Sequence, residues 1–323
     1  MEYSQKILVV KLSAFGDFMI SMGCFKSIRK RHENAKITLL TTKPFEGLAL
    51  KTGYFDEIIL DTKPRKYNVF GLKSLRDKIR SNSFDMVYDL QMNGRSSYYH
   101  RLIWDVPFLK KGTGAPKWAG IDKKAEFFTA DKRYIQPAMH AITRNEDVLK
   151  VAGFEDEEIL KPDLSWMKGD LSAFKLPKEF ALIIAGCAPQ NPEKRWAKEK
   201  FASICKTLAD GKVTPVLIGR GAEKEINDYI EAQEPRVINL TDKTSFDDLA
   251  ELGRKASLAI GNDTGPTHVV SMAGAPTIVL FNLKSSDPER SAPVGEKVHV
   301  LKAVDVNMIE PEDVIEAFSE INV

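Results

Sequence analysis

Cysteine is scarce in this chain, and the three present do not cluster. Cys24, Cys187 and Cys205 are odd in number, widely spaced and without a Cys-x-x-Cys pair, which excludes a disulfide framework and a thiolate zinc site. Buried thiols in a reducing compartment are the reading they support. No apolar run approaches the ~18 residues that a membrane-spanning helix needs. The N-terminus passes from a few polar residues straight into a strand pattern, without the features of a signal peptide, so a cytoplasmic location is expected. The first loop holds only Gly16, so it is neither a Gly-x-Gly-x-x-Gly fingerprint nor a Walker A loop, and simple NAD-dependent or P-loop functions are disfavoured. No group of His, Cys, Asp and Glu has metal-site spacing. Neither a metal nor a cofactor is expected.

What is present is a chain of 323 residues, 43% hydrophobic, with a formal net charge of +2. That length suits two domains of roughly 150 residues better than a single core. The charge is unevenly spread: residues 1–165 carry 28 Lys and Arg against 21 Asp and Glu, and the remainder 19 against 24. Most of the surplus lies between Asp61 and Lys124. It is either a solvated face or a surface for an anionic partner such as lipid headgroups or a phosphorylated glycan. Nucleic acid is not expected, because the basic residues lack a reading helix or an RNA-binding motif.

Apolar runs at Ile7–Val10, Ile37–Leu40, Ile58–Leu60 and Met86–Leu90 read as strands, with helical patterns over Met19–His32 and Leu72–Asn82. After a Pro/Asp-rich stretch near Lys161–Asp163 a second series begins. Strands are predicted at Phe180–Ile184, Val213–Ile218, Val237–Leu240, Leu258–Ile260 and Thr277–Phe281. Helices fall between them at Ala197–Ala209, Ala222–Gln233, Ser245–Lys255 and Thr267–Ala273. This alternation predicts an α/β fold of two doubly wound Rossmann-like domains, 1–165 and 166–323, with a hinge near 164–178. Ligands in such sheets bind beyond the carboxyl ends of the strands, so the site is expected in a central cleft that the two domains face. A last helix, Glu310–Glu320, could pack on either domain.

The most informative stretch is Gly261-Asn262-Asp263-Thr264-Gly265-Pro266-Thr267-His268, directly behind the apolar run Leu258–Ile260. A buried strand that restarts as a helix with Pro266 near its first position leaves backbone N–H groups free for a phosphate. His268, one turn into that helix, either serves the packing or reaches a phosphate oxygen. The first loop, Ser13-Ala14-Phe15-Gly16-Asp17, ends in a carboxylate that either caps the following helix or acts as a general base. Ser13 can bond the loop backbone or a ligand phosphate. Gly186-Cys187-Ala188 followed by Lys194-Arg195-Trp196 suits a diphosphate, with Lys194 neutralising developing charge, although both cations also read as ordinary surface residues. Glu223, after the strand ending at Ile218, is placed either for ribose hydroxyls or simply in a first helical turn.

With these residues in place, the chain resembles the bacterial ADP-heptose:lipopolysaccharide heptosyltransferases, inverting glycosyltransferases of the GT-B type. The resemblance covers nearly the whole length. It runs through the opening Ile7–Asp17, Gly53–Ile59, Tyr88-Asp89-Leu90-Gln91, His140–Asn145, Lys194-Arg195-Trp196, Gly221-Ala222-Glu223, Asn239-Leu240-Thr241 and the block Gly261–Phe281, the most specific of them. It implies a metal-independent transfer of heptose to the lipopolysaccharide core, with Asp17 as the base that deprotonates the acceptor hydroxyl and Lys194 assisting departure of the diphosphate. Ser13, Gly186, Cys187, Lys194, Glu223, Asp263, Thr264, Gly265 and His268 would hold an ADP-sugar donor. Lys63, Arg65, Lys66, Lys123, Lys124 and Arg144 would meet an anionic lipid-linked glycan, the lipid A core, with peripheral contact to the inner membrane. A related glycosyltransferase with another nucleotide sugar or surface-glycan acceptor, and a noncatalytic binding homologue, are the alternatives. The chain departs from the family after Leu280-Phe281, where the usual Gly-Pro-Thr gives way to Asn282-Leu283-Lys284-Ser285-Ser286-Asp287-Pro288 on the donor side.

Overall fold

A computed structural model of the chain describes residues 5–131, 136 and 139–321. It divides into two compact units, Met1–Pro162 and Asp163–Val323. In the first, strands β1 (Lys6–Val10), β2 (Lys36–Thr41), β3 (Glu57–Leu60), β4 (Met86–Asp89), β5 (Lys117–Gly120) and β6 (Phe127–Phe128) form a sheet of order β3-β2-β1-β4-β5-β6. Every pairing is parallel, and Val9 lies between Leu39 and Tyr88. The apolar strands are buried on both faces, as parallel sheets require. One face carries Leu8, Val10, Leu40 and Val87 against Leu72, Leu75 and Ile79 of the helix Val69–Arg80. A separate aromatic cluster is built around Phe18, stacked on Phe45 at 4.9 Å and edge-on to Phe25 at 5.3 Å.

The second unit repeats the plan with β7 (Phe180–Ile184), β8 (Thr214–Leu217), β9 (Ile238–Asn239), β10 (Leu258–Asn262), β11 (Thr277–Asn282) and β12 (Val298–Ala303), in the order β12-β11-β10-β7-β8-β9. In both units the first and fourth strands are neighbours and the chain winds outward from them in opposite directions. This is the doubly wound order whose switch point lies between those two strands. The α/β class and the two doubly wound sheets are thus as expected.

Several details differ. The helix expected over Met19–His32 is two helices, Phe15–Ile20 and Met22–Arg31, meeting at Ser21. Strands β5, β6 and β12 are additional: β5 and β6 have only four and two residues, and β12 is a partly buried edge strand. The last helix, Pro311–Ile321, places Val314, Ala317 and Ile321 in the core of the second unit. The expected hinge is bonded at its start to the helix Phe246–Lys255. Arg254 donates to the carbonyls of Leu164 (3.2 Å) and Met167, and a Cβ on Gly169 would meet the Asp248 Cα at 2.6 Å. That stretch therefore belongs to the second unit. All three cysteines are buried free thiols; burial pushes Cys24 and Cys187 up and Cys205 up to about 12.

Candidate active site

The predicted site residues lie on or near the loop edges of the two sheets. In the first unit, Lys11 turns inward just past β1 and its Nζ donates to the Leu90 carbonyl at 2.8 Å. Gln91, after β4, accepts the N–H groups of Leu12 and Ser13 at 2.6 and 3.1 Å, and Thr42, after β2, donates to the Leu12 carbonyl at 2.9 Å. The loop is thereby fixed from both neighbouring strands before it enters the helix Phe15–Ile20. Asp17 stands exposed in the first turn of that helix, and its Oδ2 accepts the Ala14 N–H at 3.2 Å. The carboxylate does cap the helix, and its Oδ1 makes no hydrogen bond among the described residues.

Beneath this loop sit two buried ionisable groups that pattern reading did not single out as functional. Burial pushes the Lys11 ammonium below the ordinary lysine range, while the charges of Asp17 and Asp89 pull it back up and Arg144 presses it further down. Asp89, at the end of β4, accepts the N–H groups of Gln91 and Met92 at 3.1 and 3.0 Å. Burial pushes its carboxyl up to about 6, against the opposing pull of bonds to Ser96, Met92 and Gln91. Arg144, in the first turn of the helix Ala141–Leu149, thus shares the electrostatic neighbourhood of the Asp17 loop.

The other cations expected to meet an acceptor are divided. Lys63 Nζ approaches Ser13 Oγ at 3.2 Å, so these two, assigned from sequence to different ligands, are neighbours. Arg65 lies over the Tyr67 ring and Lys66 over the Tyr98 ring, 5.8 and 5.4 Å from the centroids. Lys123 is exposed, and Lys124 lies over the Trp104 ring at 5.6 Å. The nearby Asp122 is fully engaged: Arg101 grips both its oxygens at 2.8 Å, which holds the carboxyl below its usual range although burial pushes the other way.

In the second unit the groups converge more tightly. Asp263, the first residue beyond β10, pairs with Lys194 Nζ through Oδ2 at 2.6 Å and faces His268 Nε2 through Oδ1 at 3.7 Å. Burial pushes the Asp263 carboxyl up, but the His268 ring and the Lys194 ammonium beside it hold it below the ordinary carboxylate range. His268 is itself buried, and its Nδ1 has no hydrogen-bond partner among the described residues. Thr264 is the N-cap of the helix Gly265–Met272, with Pro266 in its first turn and no side-chain capping bond. Asp263 therefore takes Lys194 as its counter-ion, a pairing that the sequence reading did not include.

Two asparagines fix this cluster. Asn262, the last residue of β10, accepts the Trp196 N–H at 3.1 Å and donates to the carbonyls of Ala185 and Gly186 at 2.8 and 3.2 Å. Asn282, the last residue of β11, donates to the Glu193 carbonyl at 2.6 Å, immediately before Lys194, and its own carbonyl accepts the Ser285 and Ser286 N–H groups. The loop beginning at Asn282 is thus tied to the residue immediately before the cation. Sequence reading marked the departure but not this bond, whose partners are 89 residues apart.

Glu223 lies over the end of β7. A Cβ on Gly186 would meet its carboxyl at 2.2 Å, so any side chain there would displace the Glu223 carboxyl. Its Oε2 accepts the Arg220 N–H at 2.7 Å; burial raises its pKa, and that bond and Arg195 oppose the rise. Cys187 turns its thiol away, toward the Asn191 carbonyl at 3.0 Å. Among the described residues no three His, Cys, Asp or Glu side chains are arranged to hold a metal ion, and no helix is long and apolar enough to cross a membrane.

This arrangement, a partly buried cation and a buried imidazole at the switch point of a doubly wound sheet, coincides with a match of residues 72–313 to glycosyltransferase family 9 (heptosyltransferase). The chain belongs to glycosyltransferase family 9. It is accordingly a glycosyltransferase, and it is similar along its length to curated family members. Lipopolysaccharide heptosyltransferase 1 of Campylobacter coli is 25% identical, with 98% of each chain covered. Among solved structures, a family 9 glycosyltransferase of Veillonella parvula superposes with a TM-score of 0.77 at 22% identity, covering 99% of this chain and 97% of its own. The Escherichia coli heptosyltransferase WaaC, solved with ADP, gives a TM-score of 0.70 at 18% identity, with 98% and 99% covered. These superpositions identify the two-sheet architecture as that of the GT-B heptosyltransferases.

Proposed function

We propose that this family 9 enzyme transfers a heptose from ADP-heptose to a hydroxyl of the lipopolysaccharide inner core, with inversion at the anomeric carbon, on the cytoplasmic face of the inner membrane. Donor and acceptor classes come from the relatives, one a lipopolysaccharide heptosyltransferase alike over 98% of both chains and another solved with ADP. The observation that carries the chemistry is the Lys194–Asp263–His268 group. Asp263 orients the Lys194 ammonium, and His268 keeps an unbonded Nδ1 beside it. As the bond from the anomeric carbon to the diphosphate breaks, negative charge grows on the departing oxygen. Lys194, the His268 ring and the N–H groups after Thr264 supply preorganised positive potential for it. Glu223 accepts hydrogen bonds from ribose hydroxyls, and Gly186 leaves the room for that approach.

On the acceptor side, Asp17 combines its two readings. The Ala14 N–H holds Oδ2, which orients the carboxylate, and Oδ1 takes the proton of the attacking hydroxyl. Lys63, Arg65, Lys66, Lys123, Lys124 and Arg144 attract the anionic core. No metal ion is assigned a step, since Lys194 serves as the cation for the leaving group.

The test is incubation of the protein with ADP-heptose and a heptose-free lipid A core. ADP release with addition of one heptose, at a rate unchanged by excess chelator, is the expected result. Consumption of another nucleotide sugar in place of ADP-heptose would overturn the donor assignment. That second reading is favoured by one observation, the bonding of the atypical Asn282–Ser286 loop to the residue beside Lys194.

A further inference from the structure

The motif Tyr88-Asp89-Leu90-Gln91 closes β4, and the function proposed above uses none of it. Its last residue is bound into the neighbouring loop. The β1–β4 pairing ends where Val10 faces Asp89. Beyond that point the two segments are joined by side chains, one sent each way. Lys11 donates from its ammonium to the Leu90 carbonyl at 2.8 Å, and the Gln91 amide accepts the N–H groups of Leu12 and Ser13 at 2.6 and 3.1 Å. Two backbone donors facing one atom of the amide identify that atom as its oxygen and so fix the orientation of the group.

The turn that delivers Gln91 is itself held in an unfavourable shape. Met92, next in the chain, has a φ of 46°, in the left-handed region that favours glycine. The buried Asp89 secures the turn through Oδ1, which accepts the N–H groups of Gln91 and Met92 at 3.1 and 3.0 Å. Asn93 follows at once as the N-cap of the helix Gly94–Leu102. A buried carboxylate is therefore committed to a strained turn whose side chain Gln91 bonds the loop leading to Asp17. Strain over-determined by several bonds in this way points to a functional position rather than a plain connection.

We propose that Gln91 is a positioning residue for Asp17. Its oxygen fixes Leu12 and Ser13, and the next residue, Ala14, donates the N–H that holds Asp17 Oδ2 at 3.2 Å. One backbone step separates the two contacts, so the Gln91 oxygen and the Asp17 carboxylate lie within about 10 Å of each other. Anchoring the loop there sets where the carboxylate stands when a hydroxyl arrives, and a displacement of ~1 Å is worth up to about 10²-fold in rate. Thr42 and Lys63 touch the same loop, but Thr42 bonds the Leu12 carbonyl and Lys63 approaches the Ser13 hydroxyl, so neither supplies the acceptor that Gln91 does. The inference rests on the general-base reading of Asp17.

The test compares wild type with Gln91→Met, which keeps the length and removes the acceptor, and Gln91→Glu, which keeps the acceptor and adds a charge. In the ligand-free protein, the Leu12 and Ser13 amides are expected to exchange with deuterium at least about tenfold faster in Gln91→Met and at the wild-type rate in Gln91→Glu, with Ile7–Val10 unchanged in both. With ADP-heptose and a water-soluble, deacylated, heptose-free core, Gln91→Met is expected to lose about 10–10²-fold in kcat at an unchanged KM for ADP-heptose. Gln91→Glu keeps kcat within a few-fold, but the acid limb of its pH–rate profile moves up by about half a pH unit or more, because a second negative charge opposes ionisation of the base. The charged groups already around this loop, Lys11, Lys63, Asp89 and Arg144, are common to all three proteins, so the shift is read against wild type. Exchange that ignores Gln91→Met, wild-type kcat in that variant, or an unmoved acid limb in Gln91→Glu overturns the proposal. Should Gln91→Met not fold, the pH profile of Gln91→Glu decides alone. Failure of the functional reading shows differently, as absent turnover by wild type, and the exchange rates then decide for Gln91.

Discussion

The two units share one strand order and carry their functional side chains on the same kind of edge, yet they hold them in contrasting ways. In the first, Asp17 is exposed and its carboxylate takes a single backbone N–H. In the second, Asp263, His268, Asn262 and Asn282 are all buried; Asp263, Asn262 and Asn282 each engage a group from a distant segment, and His268 faces Asp263. On the proposed reading the second edge takes a nucleotide diphosphate, small and constant, which a rigid, desolvated cluster would suit. The proposed glycan acceptor is large and arrives from outside, which an exposed carboxylate on a pinned loop would accommodate. The contrast implies that function and stability are separable at the first edge and entangled at the second.

The largest effect expected from this contrast is at Asp17. Asp17→Asn should lower kcat by about 10²–10⁴, the usual worth of a general base, with little change in melting temperature or in ADP affinity. Near-full turnover would end the general-base assignment. Lys194→Met should lower kcat by about 10²–10³ and, unlike the first variant, also cost about 3 kcal/mol or more of stability, because it leaves the Asp263 carboxylate buried without its partner. Calorimetry of the two variants side by side measures the separation directly. If Lys194→Met melts like wild type, the second edge is not entangled in the sense argued here.

Asp89 lies beneath the exposed edge and provides a pH test. Its folded pKa of about 6 is above the ordinary aspartate value, so below both values the group is protonated in either state and costs nothing. As pH rises through about 6 the folded state must carry a buried charge, and stability falls, by up to about 3 kcal/mol for a shift of this size. Asp89→Asn should therefore raise the melting temperature more at pH 8 than at pH 5; an equal shift at both would show that burial is not the cause. The smallest effect is at Asn282. Asn282→Ala strips the Glu193 carbonyl of its donor and should cost about 1–3 kcal/mol, with kcat reduced several-fold while Asp17-dependent proton transfer keeps its pH profile.

The frame was legible in the sequence where strands were apolar throughout. Phe180–Ile184 is recovered to the residue, and Leu258–Ile260 and Thr277–Phe281 fall within their strands, because a strand buried on both faces can hold almost nothing polar. Lys117–Gly120 escaped because four residues bounded by lysine and glycine carry too short an apolar run, and Val298–Ala303 because an edge strand, only partly buried, tolerates lysine. The break at Ser21 was hidden by continuous helical periodicity on either side. At the site, local pattern located the carboxylates and cations by their place after strands. It could not show that Lys194 is the counter-ion of Asp263, 69 residues away, nor that Gln91 closes the first loop from 78 and 79 residues off. Side-chain amides that satisfy a distant backbone leave no periodic trace. Their partners are chosen by the sheet order, which brings strand ends together regardless of chain separation.

The buried cysteines have a practical consequence. A thiol reacts as its thiolate, and all three are shielded from solvent with that form suppressed. The wild-type chain is therefore nearly silent toward maleimides and iodoacetamides. A single Leu109→Cys or Phe70→Cys substitution, at positions 82% and 89% exposed, would therefore be labelled selectively while the three native thiols stay untouched.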